Sequence, residues 1–208
     1  MKPLRGIFRS GNFTINRVET FSDGIFAIVA TLLILEIRVP YVEGTDVARE
    51  LLNGLRLLTP KFFCYVLSFM YIAIYWVNHH QLFHIIKRSD RGLFWFNSFF
   101  LMLMAFIPFP TALIGEYPGQ AVAVMFYGIA MFITALSFVA MKWYALDYAK
   151  LTDPNLPKNH FKDSRFKIIA GPLLYFLAIF LSAVDTRWAI AIYAVIPVIY
   201  FIPGPSEK

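Results

Sequence analysis

The chain has 208 residues, of which 59% are hydrophobic, 18% aromatic and only 15% charged. That is far more apolar than a soluble domain of this length tolerates, so the composition identifies a membrane protein. The formal net charge of +6 is accounted for by membrane topology and by contact with anionic lipid headgroups, and no nucleic-acid partner is expected.

One crossing of the hydrocarbon layer takes about 20 mostly apolar residues. About six such stretches, joined by short connections, fill the chain, which predicts an all-α polytopic membrane protein with six transmembrane helices in a single domain over residues 1–208. The single cysteine, Cys64, lies in an apolar run and cannot form an intrachain disulfide.

Residues 1 to 16 are basic and lack the apolar core and cleavage site of a secretory signal, so they are expected to form a cytosolic tail. The first span is predicted from about Arg17 to Ile37, ending at Val39-Pro40, because proline disfavours helix for the residue before it. Arg17, Ser22 and Asp23 stand at or just inside its mouth, where ionisable side chains are rare and usually face a bundle interior or a water-filled path. Above them Ile28, Thr31, Leu32 and Leu35 recur at spacings of three and four and share one helix face. Such a stripe suits a pore lining or ordinary helix packing, and periodicity does not separate the two.

The segment TDVARELLNGLRLL has the pattern of a short amphipathic helix lying along the interface. Thr59-Pro60 then resembles a helix start, an N-cap followed by proline, before a second span over about Lys61 to His84. Its end carries Trp76, Asn78, His79, His80 and His84, marking a water interface. His80 and His84, four apart, lack a third metal ligand at a recognisable spacing, so interfacial hydrogen bonding is the expected role and no metal is assigned. A third span starts near Gly92, carries Trp95 and Asn97 early, and should be kinked or ended by Pro108 and Pro110. After the GEYPG loop come a fourth span from Gln120 to Trp143, a basic connection from Lys150 to Lys167, and two spans near Ile168–Val184 and Trp188–Ile202 that form a tight hairpin. Tryptophans 76, 95, 143 and 188 fall near span ends, as an aromatic belt requires.

With the N-terminus inside, 14 of the 19 Lys and Arg residues fall on the cytosolic side and five, Arg38, Arg49, Arg56, Lys61 and Arg187, outside. Both termini are therefore expected in the cytosol, with the chain multi-pass in the cell membrane.

The run Arg17-x-x-x-Phe21-Ser22-Asp23, opening an apolar span that continues IFAIVATLLIL, resembles the signature of the transmembrane protein 175 family of lysosomal and prokaryotic potassium channels. The surroundings of Trp76 and His80, the run Trp95-Phe96-Asn97 and the following FIPFPTALIGEY are similar to that family as well. The resemblance implies a one-repeat, six-helix chain that assembles as a homotetramer and conducts potassium, with membrane lipids and further copies of itself as partners and no cofactor besides the permeant ion. It implies a pore lined by the first helix, with its apolar constriction at Ile28 and with Thr31 and Leu35 next along the same face. A TVGYG filter is absent, in keeping with an apolar constriction. Thr31, the polar group on the stripe above Asp23, is then the expected source of potassium preference. Arg17, Phe21, Ser22 and Asp23 correspond to the family's motif, whose polar members would pack against Trp76, His80 and Asn97 and hold the pore helix without touching the ion; Arg17 and Asp23 are expected on a face other than that of Ile28.

A proton-permeable channel or a secondary transporter is the alternative, since either would also place Asp23 and histidines at membrane depth. A transporter typically shows internal repeats or helices broken near the midplane, and the second half repeats none of the motif. No nucleophile–base pair or complete metal site stands out, so an enzyme is not expected.

Overall fold

The computed structural model describes residues 14–153 and 162–201. The basic tail over 1–13, the middle of the Lys150–Lys167 connection and Ile202 lie outside them. The described residues form helices only, apart from one isolated bridge between Ile86 and Thr152. In chain order these are α1 (Ile15–Leu35), α2 (Val47–Leu57), α3 (Thr59–Ile85), α4 (Arg91–Phe106), α5 (Pro108–Glu116), α6 (Ala121–Trp143), a π-helical turn (Tyr144–Tyr148), α7 (Lys162–Ser182) and α8 (Thr186–Phe201).

Among the described residues, four stretches are long and apolar enough to cross a bilayer: α1, α3, α4 continued by α5, and α6 with its π-helical turn. Helices α7 and α8 supply shorter apolar stretches, Ile169–Ser182 and Thr186–Tyr200, where the last two spans were expected. The chain is thus a multi-pass, all-helical membrane protein. Helix α6 is central, touching α4, α5, α7 and α8, while α1 lies across α3, α4 and α5.

Local chemistry explains most boundaries. Helix α1 ends where Glu36 and Ile37 close a last tight turn, Ile37 N–H donating to Ile34 C=O at 3.1 Å, ahead of Pro40. Thr59 is the first residue of α3 and not its N-cap. Leu58 keeps helical dihedrals because its N–H is held by Gly54 C=O at the end of α2 and its own C=O accepts from Phe62, so no side-chain cap is used. Pro108 and Pro110, which lack N–H donors, divide the third span at Ile107 and sit in the first turn of α5, where the missing donors cost nothing. The first two residues of the expected GEYPG loop are helical, since α5 runs on to Glu116, which pairs with Lys61 at the start of α3.

Two glycines permit close approaches. A Cβ on Gly128 of α6 would overlap the hydroxyl of Tyr193 on α8, and one on Gly92 of α4 would overlap Tyr144 at the end of α6. Tyr193 donates to Val124 C=O at 3.1 Å, and Tyr144 donates to Asp90 Oδ2 at 2.8 Å. Asp90 also caps α4, accepting from Leu93 N–H through Oδ1 at 2.8 Å. Past the π-helical turn, Lys150 takes a left-handed conformation with φ of 51°. That turn lets Leu151 N–H bond back to Ala145 C=O at 2.8 Å and directs Leu151 C=O at the N–H of Lys87, 2.9 Å away. The end of α6 is thereby fastened to the α3–α4 connection.

The interior is rich in tyrosine. Tyr71 donates to Tyr193 C=O at 2.5 Å, and Ser68 lies within hydrogen-bonding distance of both Thr111 (2.7 Å) and Tyr127 (3.1 Å), so these buried hydroxyls of α3, α5 and α6 have partners.

Candidate functional site

Helix α1 presents two unlike faces. Val18, Ser22, Phe26, Val29 and Leu33 are buried, at the spacing of three and four that keeps residues on one face. On another arc, about 80° wide at 100° per residue, stand Phe21, Gly24, Ile28, Thr31 and Leu35, all exposed. Ile28 is 55% exposed and Leu35 is 70% exposed, and nothing lies within 4 Å of the position a Gly24 Cβ would take. The sequence-derived stripe of Ile28, Thr31, Leu32 and Leu35 is therefore not part of the protomer's own core.

Thr31 turns its hydroxyl inward along the helix, 2.8 Å from Ile28 C=O and 3.1 Å from Ala27 C=O. Its proton is thus spent on the backbone, and the oxygen lone pairs are left for a partner off the helix.

The packed face carries a polar chain. Ser22 donates to Val18 C=O at 2.8 Å and so accepts from Asn97 Nδ2 at 2.9 Å. This orients the amide, placing Asn97 Oδ1 2.8 Å from His79 Nε2, which must be the protonated ring nitrogen. Ser22, Asn97 and His79 are all buried. The His79 ring stacks on Phe83 at 4.2 Å and meets Phe26 edge-on at 5.4 Å, and its Nδ1 has no hydrogen-bond partner among the described residues.

A second, exposed ladder runs beside it. Trp76 Nε1 donates to Asp23 Oδ1 at 2.9 Å, and one turn further on each helix His80 Nδ1 meets Glu19 Oε1 at 3.1 Å.

Each expected site residue can now be placed. Ser22 meets Asn97 and Asp23 meets Trp76, but His80 is exposed and bound to Glu19, while its neighbour His79 occupies the buried position beside Asn97. Consecutive helical residues are about 100° apart, so only one of the two histidines can face inward. His79 continues the buried series Cys64, Ser68, Tyr71, Ile72 of α3, a series that hydropathy alone does not single out in so apolar a run. Glu19 was missed.

Arg17 requires a correction. It lies eleven residues before Ile28, about 20° away on the helix, and so falls on the exposed stripe and not on another face. Its side chain is exposed and has no partner among the described residues. Asp23, five residues from Ile28, is about 140° away, as expected.

The arrangement belongs to a recognisable group of proteins. A family profile described as "Endosomal/lysosomal potassium channel TMEM175" matches residues 17–108. A potassium channel of Streptomyces collinus is 37% identical over 199 residues, covering 92% of this chain and 95% of that protein. The crystal structure of a lysosomal potassium-selective channel TMEM175 homolog from Chamaesiphon minutus is similar with a TM-score of 0.76 and 33% identity, over 89% of this chain and 95% of that one. A Danio rerio protein named as an endosomal/lysosomal proton channel TMEM175 is 21% identical over 197 residues, which are 92% of this chain but 37% of its own length. With its helices and nearly its whole length shared with such relatives, the chain belongs to the TMEM175 family and is a multi-pass cation channel, not an enzyme.

Proposed function

We propose that the chain is a potassium-permeable channel, assembled as a homotetramer of six-crossing protomers with both termini in the cytosol, whose narrowest section is formed by α1 at Ile28. The observation that carries this reading is the exposure of the Arg17–Leu35 stripe on a helix whose other face is buried. Apolar side chains alone would suit lipid contact, but a stripe that also carries Arg17 and Thr31 suits an aqueous path better. The relatives named as potassium channels support the choice of ion.

A ring of isoleucine side chains has no oxygen to replace water around a cation, so it acts as a gate that conducts when it is wide enough to be wet. Thr31, one turn along, supplies one hydroxyl per protomer with its lone pairs free, and potassium preference is assigned to it. Asp23, Ser22, Asn97 and His79 hold α1 from behind.

The test is single-channel conductance and reversal potential in bilayers with potassium on one side and sodium on the other. Ile28→Asn is expected to raise conductance and to admit more sodium. Unchanged values in a folded assembly would remove α1 from the pore. Permeation by protons is the second reading, favoured by the naming of the Danio rerio relative as a proton channel. A pH step under symmetrical potassium separates them: a reversal potential that follows the step identifies protons as the permeant ion.

A further inference from the structure

Helix α2 stands apart from the bundle in having no buried residue. At 100° per residue, Val47, Ala48, Leu51, Leu52 and Leu55 fall within an arc of about 140°, and the four larger ones are 57%, 39%, 50% and 45% exposed. Arg56 and Arg49 follow on one flank of that arc, about 40° and 60° beyond Leu52. Both are exposed, and neither side chain has a partner among the described residues.

The opposite flank faces the protein. A Cβ on Gly54 would stand 2.6 Å from Pro40 Cβ, so the helix rests on the linker from α1 there. Nearby carboxylates are already engaged by the backbone: Asp46 accepts from Arg49 N–H at 3.2 Å, and Glu50 accepts from Gly44 N–H at 3.1 Å. The carboxylates keep their charge but are held to the linker and the helix start, and Glu50 lies on the opposite flank, so Arg49 and Arg56 are the charges along the Leu52 edge of the apolar arc. The depth of α2 is set covalently, since it follows the end of α1 at Leu35 and runs into α3 at Thr59, both limits of apolar spans.

We infer that α2 is a lipid-docking helix that lies in the membrane interface with its apolar arc among acyl chains, and that Arg49 and Arg56 bind the phosphates of anionic phospholipids. An apolar arc flanked by unpaired guanidiniums at the hydrocarbon boundary matches an anionic membrane surface in both polarity and charge. Guanidinium also presents paired donors in the geometry that phosphate oxygens accept. The inference does not depend on which ion the channel passes.

The test places a bimane label on Leu52→Cys in the full chain, reconstituted in vesicles of phosphatidylcholine and phosphatidylglycerol, with one lipid brominated on its acyl chains at a time. Cys64 is buried, and the unmodified chain supplies the background. Val47→Cys, on the same arc, serves where Leu52→Cys yields no protein. The label should resist aqueous iodide and be quenched by brominated lipid, more strongly by phosphatidylglycerol by roughly two- to five-fold. Arg49→Gln with Arg56→Gln should equalise the two lipids without exposing the label to iodide. Quenching by iodide alone would put α2 in water, and protection from both quenchers would put a second copy of the chain over it. Equal quenching by the two lipids in the unmodified arginine background would remove the anionic recognition. Each of these three results overturns the inference.

Discussion

Asn97 on α4 donates its amide Nδ2 to the hydroxyl of Ser22 on α1 across 2.9 Å. Because Ser22 is committed to Val18 C=O and Asn97 Oδ1 to His79, one amide ties three helices at one level. The face of α1 behind the exposed stripe is held by directional bonds as well as by apolar packing.

Removing that amide should be costly. Asn97→Ala leaves the buried His79 Nε2–H without an acceptor and deprives Ser22 of a donor, for a loss of about 1–3 kcal/mol. Thr20→Ala, which deletes an exposed hydroxyl bonded to Asn16 C=O, should stay within about 0.5 kcal/mol. Thermal and denaturant unfolding in detergent compares the two, and equal losses would contradict the network.

His79 and His80 should respond differently to substitution. His79→Ala opens a cavity between Phe26, Phe83 and Phe100 and orphans Asn97, so it should lower folded yield sharply. His80→Ala severs the exposed link to Glu19 and a loose stack on Trp76 at 6.3 Å, and the expected change is under about 1 kcal/mol. Size-exclusion yield in detergent measures both.

How these residues were read from sequence follows the same division. Hydropathy and proline placement were sufficient for α1, α3, the break at Ile107 and α6, because burying about 20 apolar residues in lipid overrides other preferences. The motif from Arg17 to Asp23 was visible as charge at the edge of an apolar run. The choice between adjacent histidines, and the partner of His80, depends on a rotation of α3 against α1 that only packing determines. The face of Arg17 follows from helical arithmetic over eleven residues, which returns it to within about 20° of Ile28, and not from its place beside Asp23 in the motif. The contacts of Gly92 with Tyr144 and of Lys150 with its turn join segments far apart in the chain, and no local pattern marks them.

Arg17 on the exposed stripe has a functional consequence under the proposed assembly. A ring of guanidiniums at one mouth of the path would oppose cations through their shared charge. Arg17→Gln is expected to raise single-channel potassium conductance at low ionic strength by about two-fold, with the gain shrinking as salt screens the ring. An unchanged conductance in 20–50 mM salt, taken as roughly the range where the Debye length exceeds 10 Å, would place Arg17 away from the ion path.

Thr31→Val tests the assignment of ion preference separately from the gate. Valine keeps nearly the same volume and removes the oxygen, so the Ile28 constriction should persist while the reversal potential under bi-ionic potassium and sodium moves toward zero. A reversal potential identical to that of the unaltered chain would take selectivity away from this residue.

The fastening of α6 to the α3–α4 connection gives opposite predictions at two positions. Gly92→Ala should destabilise by roughly 1–3 kcal/mol, since the added methyl displaces the Tyr144 hydroxyl from Asp90. Lys150→Gly should stabilise by up to about 1 kcal/mol, because glycine adopts the positive φ without the Cβ penalty. Melting temperatures in detergent should therefore move in opposite directions.

Helix α3 also works as a ruler. Its 27 residues rise about 40 Å at 1.5 Å each, against a hydrocarbon layer about 30 Å thick. Measured from Thr59, where Pro60 starts the helix and Lys61 is paired with Glu116, an upright α3 reaches that thickness near His79. The buried Ser22–Asn97–His79 chain then marks the far boundary of the oil, and His80 and His84 stand beyond it among headgroups and water. A bilayer thinner than this span is met by tilt of α3 or by local thickening of the lipid, and wherever α3 tilts, the bonds through Asn97 and Trp76 couple α1, which carries Ile28, to the same movement.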